Sequence, residues 1–212
     1  MFLLITGGSC SGKSAYAEDR TAELCRAAGI EENPAAPGGT NAAEGGMASR
    51  PAGAANTDEC ADSRKIYLAT MQAYDGESMK RVERHRAMRA GKGFRTVECP
   101  RDLPEVFETT MRNGRPVILL ECLSNLVANE MFRETEMVSE DILVPKIVRE
   151  VGMLREKAEH LVIVTNNIFE DGVIYEEWTR RYIDALGRIN TGLAKEADEV
   201  WEVVCGIPVR CK

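Results

Sequence analysis

The chain has 212 residues, 44% of them hydrophobic and 29% charged, a composition that suits one compact domain and excludes a disordered or fibrous chain. Lys and Arg total 27 against 34 Asp and Glu, a formal net charge of −7, which argues against a general nucleic-acid binder or a polybasic membrane binder. No apolar run reaches the roughly 18–20 residues that a membrane-spanning helix needs.

Phe2 to Ile5 is a short apolar block. It reads as a first β-strand, because the core of a secretion signal is longer and follows a basic stretch. Gly7, Gly8, Ser9, Cys10, Ser11, Gly12, Lys13 and Ser14 then fit G-x-x-x-x-G-K-[S/T] at every fixed position, and a helical run follows from Ser14 to Ala27. In that strand–turn–helix setting the motif is a phosphate-binding loop. Its glycines let the backbone wrap an anion, with successive N–H groups and the helix N-terminus aimed at phosphate oxygens. Lys13 is expected to reach the β- and γ-phosphates, and the Ser14 hydroxyl to ligate Mg²⁺. The loop alone does not separate a motor ATPase, a switch GTPase, a small-molecule kinase and a nucleotidyltransferase.

Residues 28–63 are rich in Gly, Ala, Pro and Asn and hold almost no large apolar side chains. Such a stretch cannot offset its ordering entropy, so it is expected to be a disordered, low-complexity insertion in a single domain spanning residues 1–212. Lys65 to Ala69 reads as the next strand. Beyond it, His85 stands among Arg81, Arg84, Arg86 and Arg89. On a helix, Arg81 and Arg89 fall one turn before and after it on the same face, which predicts a local anion site in an acidic protein. A neutral imidazole is a good nucleophile towards phosphorus, and nearby cations disfavour its protonated form. A solvated basic helix with an incidental histidine fits the same residues, and the residues alone leave both readings open.

Asp102 is a candidate N-cap for a helix with Pro104 in its first turn and Gly114 as its stop. Val117 to Leu120, Leu161 to Val164 and Val200 to Val204 are further short apolar runs, the pattern of parallel strands buried on both faces. Glu121 follows one of them, at the carboxyl edge where open α/β sheets bind ligands. His160, at a helix-to-strand junction, reads as structural. Trp178, Tyr182, Leu186, Ile189 and Leu193 mark one face of a final helix. Strands alternating with helices predict an α/β fold of the P-loop NTPase type, RecA-like, with a mostly parallel sheet flanked by helices. Cys10, Cys25, Cys60, Cys99, Cys122, Cys205 and Cys211 form no C-x-x-C pair and are expected as free thiols in the cytoplasm.

Taken together, LITGGSCSGKS at the start, IYLAT at Ile66 to Thr70, RVERHR at Arg81 to Arg86, FRTVE at Phe94 to Glu98, LLECLSNLVANEMF at Leu119 to Phe132, VIVTN at Val162 to Asn166 and the run from Arg180 to Lys212 resemble the bifunctional adenosylcobinamide kinase/adenosylcobinamide-phosphate guanylyltransferase family of cobalamin biosynthesis. The resemblance implies phosphorylation of adenosylcobinamide from ATP or GTP. It also implies transfer of GMP from GTP to adenosylcobinamide phosphate through a guanylyl-histidine, with release of pyrophosphate. It points to His85 as the covalent nucleophile and to Gly7 through Ser14, Ala69, Thr70, Met71, Arg86, Ala87, Met88, Arg89, Glu98 and Glu121 as nucleotide contacts. Either Glu98 or Glu121 is a candidate for guanine selectivity, since a carboxylate accepts the N1–H and N2–H pair that adenine lacks. The resemblance further implies a homo-oligomer, a trimer. The chain departs from the family pattern at Asn167-Ile168-Phe169, where Glu-Val-Gly is usual, and at Asn190-Thr191, where Asn-Gln is usual; Glu170 and Asp171 are candidates for the missing carboxylate. A P-loop small-molecule kinase without guanylyl transfer and a nucleotide-dependent switch protein are the competing readings.

Overall fold

Alternation inside the apolar strands decides how the layers form. Phe2, Leu4, Ile66, Leu68, Ile118, Leu120, Leu161 and Ile163 face one way, while Leu3, Ile5, Tyr67, Leu119, Val162 and Val164 face the other, and all are buried. Each face therefore needs a helical cover. The computed structural model describes residues 1–30, 63–72, 76–89, 91–133, 136–168, 172–173 and 175–212. Most of the expected insertion, residues 31–62, lies outside the described residues, as do Glu170 and Asp171 and the side chains of Arg81, Arg84, His85, Arg86 and Met88.

The elements run β1 (Phe2–Thr6), α1 (Lys13–Ala27), β2 (Lys65–Ala69), α2 (Gly76–Arg89), β3 (Arg95–Glu98), α3 (Phe107–Thr110), β4 (Val117–Glu121), α4 (Leu123–Met131), α5 (Glu140–Lys157), β5 (His160–Val164), α6 (Glu177–Glu196), β6 (Glu199–Val204) and β7 (Ile207–Arg210). One seven-stranded sheet has the order β3-β2-β4-β5-β1-β6-β7. Every neighbouring pair is parallel except β6 with β7, so the P-loop-type α/β architecture is the one present. Helix α1 covers one face, through Ala17, Leu24 and Cys25. Helices α4, α5 and α6 cover the other, through Leu126, Ile147, Val151, Leu186 and Ile189. Among the described residues no helix is long and apolar enough to cross a membrane.

The expected helix from Asp102 to Gly114 is broken. A 3₁₀ turn at Leu103–Val106 precedes the short α3, and Asp102 sits at φ 47° with no side-chain cap. Its carboxylate is drawn elsewhere: it accepts from Lys146 Nζ at 2.8 Å and Arg133 Nη2 at 3.1 Å, while its N–H donates to Glu130 Oε1 at 2.7 Å. Glu130, 1% exposed, also pairs with Lys146 and Arg133. Gly114, at φ 97°, does end the segment. His160 contacts the amino terminus through Nδ1 at 3.0 Å.

Burial alone would raise the carboxyls of Asp102 and Glu130, but bonds to Lys146 and Arg133 hold both below the usual range. Groups depressed in this way stabilise the fold above their unfolded values, near 4, and lose that contribution as pH falls through the lower folded values. Lys146→Met is therefore expected to move acid unfolding, followed by circular dichroism, to higher pH. An unchanged acid midpoint would contradict this role for the lysine.

Candidate functional site

The carboxyl ends of the parallel strands meet at one edge of the sheet. Gly7 leaves β1 there. A Cβ on Gly7 would lie 2.5 Å from Ser11 Oγ and 2.7 Å from the Val203 carbonyl, so only glycine lets the loop turn between β1 and β6. Gly12, at φ 91°, precedes α1 with no side-chain cap, leaving the first-turn N–H groups of α1 to face an anion. The turn between β6 and β7 backs the loop, with Gly206 N–H donating to the Ser11 carbonyl at 2.8 Å.

Lys13 is buried and its Nζ donates to the Gly8 carbonyl at 2.9 Å. Burial pushes its ammonium down, and Cys122, Glu121 and Cys10 pull it back up. The Ser14 hydroxyl donates to Glu121 Oε1 at 2.5 Å, and the Tyr67 hydroxyl donates to Glu121 Oε2 at 2.9 Å. Glu121 is thus a buried carboxylate with both oxygens engaged, not a solvated strand end. Burial, and next the charge of Glu121, push the Tyr67 phenol strongly up, so it stays protonated and donating. The Arg89 guanidinium, in the last turn of α2, lies 3.6 Å from the Tyr67 ring centroid. Arg89, Tyr67, Glu121 and Ser14 form one connected series from α2 to the phosphate loop.

The remaining expected residues spread along the edge. Ala69, Thr70 and Met71 lie at the end of β2, where the Thr70 hydroxyl accepts from the Cys122 N–H and donates to the Cys122 carbonyl, both at 2.8 Å. Arg86 to Arg89 close α2. His85 lies one turn before Arg89 on α2, about 6 Å along the helix axis. Glu98 is exposed at the end of β3, four strand steps from β1, roughly 19 Å at the usual strand spacing. The structure brings Lys13, Ser14 and Glu121 together, and places Glu98 in register with Ala69 and Glu121, two strand steps from Glu121, about 10 Å at the usual strand spacing.

Sequence reasoning missed Tyr67, Ser124 and Glu202. Asn167, at the family departure, donates its backbone N–H to the Gly7 carbonyl at 3.0 Å and its amide to Glu202 Oε1 at 3.1 Å. Asn166 Nδ2 donates to Ser124 Oγ at 2.6 Å, and Thr165 Oγ1 donates to Asn190 Oδ1 at 2.9 Å. The available signals were a hydroxyl-tipped ring inside an apolar strand and a lone carboxylate in VWEVV.

Comparison with known proteins decides the family. The model of the CobU family, described as cobinamide kinase / cobinamide phosphate guanyltransferase, matches residues 43–211. The chain belongs to this family. Curated relatives include the bifunctional adenosylcobalamin biosynthesis protein CobU of Escherichia coli (strain K12), 28% identical, and that of Salmonella typhimurium, 29% identical, each aligned over 100% of both chains. The CobP protein of Pseudomonas aeruginosa is 29% identical over 69% of this chain and 81% of its own. Among solved structures a KaiC-like protein from Pyrococcus horikoshii is 11% identical, with a TM-score of 0.44, over 95% of this chain and 69% of that one. The phosphate loop precedes the span matched by the CobU family model, and the two full-length alignments extend across it.

The loop geometry yields a paired test. Gly7→Ala is expected to weaken binding of a fluorescent triphosphate analogue at least about ten-fold, since the clash falls on backbone as well as a side chain. Nothing lies within 4 Å of a Cβ on Gly8, so Gly8→Ala should unfold within ~0.5 kcal/mol of wild type. Equal stability and nucleotide affinity in the two variants would contradict the described loop.

Proposed function

We propose that the chain carries out two transfers: phosphorylation of the terminal hydroxyl of adenosylcobinamide from ATP or GTP, and transfer of GMP from GTP to adenosylcobinamide phosphate through a guanylyl-histidine at His85. Family membership makes the chain an enzyme of cobalamin biosynthesis of the kinase and nucleotidyltransferase class. The assignment of residues to steps is our reading. The observation that carries it is the series Arg89–Tyr67–Glu121–Ser14, which couples the helix bearing His85 to the phosphate loop.

Lys13 and the first-turn N–H groups of α1 take the β- and γ-phosphates, where charge accumulates as the bond to the leaving group breaks. Ser14 and Glu121 fit Mg²⁺, because they set hard oxygen donors side by side and this ion prefers one or two carboxylates together with substrate phosphates. When bound, Mg²⁺ neutralises phosphate charge. With Glu121 assigned to the metal side beside Ser14, Glu98 is the carboxylate assigned to guanine.

In the second reaction the His85 imidazole attacks the α-phosphorus of GTP, a P–N bond forms, and the P–O bond to pyrophosphate breaks. An oxygen of the acceptor phosphate then attacks the same phosphorus, the P–N bond breaks and neutral imidazole returns. Two attacks that each involve a neutral nitrogen replace one attack of an anion on an anion. Arg86 and Arg89 are assigned to screening the incoming phosphate. A cytoplasmic location and a homotrimer belong to the same proposal, as does a single domain spanning residues 1–212.

Incubation with α-labelled GTP should leave acid-labile label on the protein, and His85→Asn should abolish it. Lys13→Ala should lower both labelling and cobinamide phosphorylation on the order of 10²-fold. Label that persists in His85→Asn would move the nucleophile elsewhere.

A further inference from the structure

On the α4–α6 side of the same edge, two large aromatic rings are left in water: Phe132 is 45% exposed and Trp178 is 56% exposed. Tyr182 meets the first ring and shares a helix face with the second. The Phe132 and Tyr182 ring centroids are 6.4 Å apart, and Trp178 lies one turn before Tyr182 on α6, on the same helix face. Arg181 fixes the arrangement by donating Nε and Nη2 to the two carboxylate oxygens of Glu140, at 2.7 and 2.5 Å, which ties α6 to the start of α5.

This apolar shelf continues into the phosphate cradle through polar groups. The Tyr182 hydroxyl donates to the Ser124 carbonyl at 3.1 Å. Ser124 Oγ accepts from Asn166 and lies 3.1 Å from Cys122 Sγ. Cys122 directly follows Glu121, whose carboxylate holds Ser14 of the loop. Flat apolar rings at the outer end and amide and hydroxyl groups at the inner end suit a ligand with a broad apolar body and a polar arm.

We propose that Phe132, Tyr182 and Trp178 form the docking shelf for the acceptor, taking the face of the corrin macrocycle, while Asn166 and Ser124 line the path of the arm that carries the reacting oxygen to the cradle. This inference rests on the reading of the chain as a cobinamide-modifying enzyme. It places the acceptor over the ends of β4 and β5, on the side of the loop away from the β6–β7 turn. The rings are tilted, 41° between Phe132 and Tyr182, so a wide macrocycle can rest its apolar ring system against them while its amide side chains stay in solvent. Aromatic contact of this kind gains affinity with little loss of side-chain freedom.

The test uses the full chain with cobinamide as probe, measured by equilibrium dialysis without nucleotide. Phe132→Ala and Trp178→Ala should each raise the cobinamide Kd about ten-fold, and Trp178→Phe should restore most of it. GTP affinity, self-labelling from α-labelled GTP and the sedimentation coefficient should stay at wild-type values. Unchanged cobinamide affinity in both alanine variants overturns the shelf. So does a shift in sedimentation with cobinamide affinity unchanged, which would make the face a contact between copies of this chain. Wild-type protein that self-labels but binds no cobinamide also overturns it. Loss of self-labelling in wild-type protein counts against the guanylyl-transfer reading instead, so the two failures are distinguishable.

Discussion

A carboxylate buried at the carboxyl edge of a parallel sheet must be satisfied or it destabilises the fold, and Glu121 is satisfied by hydroxyls rather than by a cation. The distinction matters for chemistry. A carboxylate paired with a lysine would consume the positive charge that a triphosphate needs. Here Lys13 rests against the Gly8 carbonyl inside the loop, close enough to Glu121 to feel its charge and still directed at the anion-binding turn. A hydroxyl donor is also a partner that a hard cation can displace at small cost. Tyr67 keeps the second oxygen oriented, and the Arg89 guanidinium over the Tyr67 ring carries that order into α2.

The site extends along the sheet edge in two directions from this point. Towards β3 lie Thr70, the end of α2 and Glu98, the groups assigned to the base and to guanylyl transfer. Towards α4 and α6 lie Ser124, Asn166 and the aromatic shelf. On the proposed reading, a triphosphate held at the centre has the groups assigned to guanylyl transfer on one side and the acceptor shelf on the other. The Asn167 backbone N–H holds the Gly7 carbonyl, and its side-chain amide donates to Glu202 of β6, so the residue that departs from the family pattern still has a structural task.

Much of this was legible in the sequence, for physical reasons that differ by element. The phosphate loop shows itself because its backbone tolerates only glycine at fixed offsets, as the contact of a Gly7 Cβ with the Val203 carbonyl illustrates. Strands β1, β2, β4 and β5 are visible because residues buried on both faces leave near-continuous apolar runs, and β6, though only Val203 is buried in it, keeps enough β-branched residues to be seen. Strands β3 and β7 are harder to see: they lie at the two ends of the sheet and carry exposed or charged residues. Asp102 looked like an N-cap because capping is a local pattern, whereas the partners that claim it, Lys146 and Arg133, are 44 and 31 residues away. The Tyr67–Glu121 bond spans 54 residues, and the separation of Glu98 from the loop follows from strand order, which no local pattern encodes.

Glu121 and Ser14, acting together as the metal-side wall of the triphosphate site, are the pair on which the proposed chemistry depends. The most direct measurement is calorimetric titration of GTP into wild-type protein and into Glu121→Gln, each with and without Mg²⁺. Mg²⁺ should strengthen binding to wild type, and Glu121→Gln should lose this gain while binding metal-free GTP as before. A full Mg²⁺-dependent gain in Glu121→Gln would contradict this role of the pair.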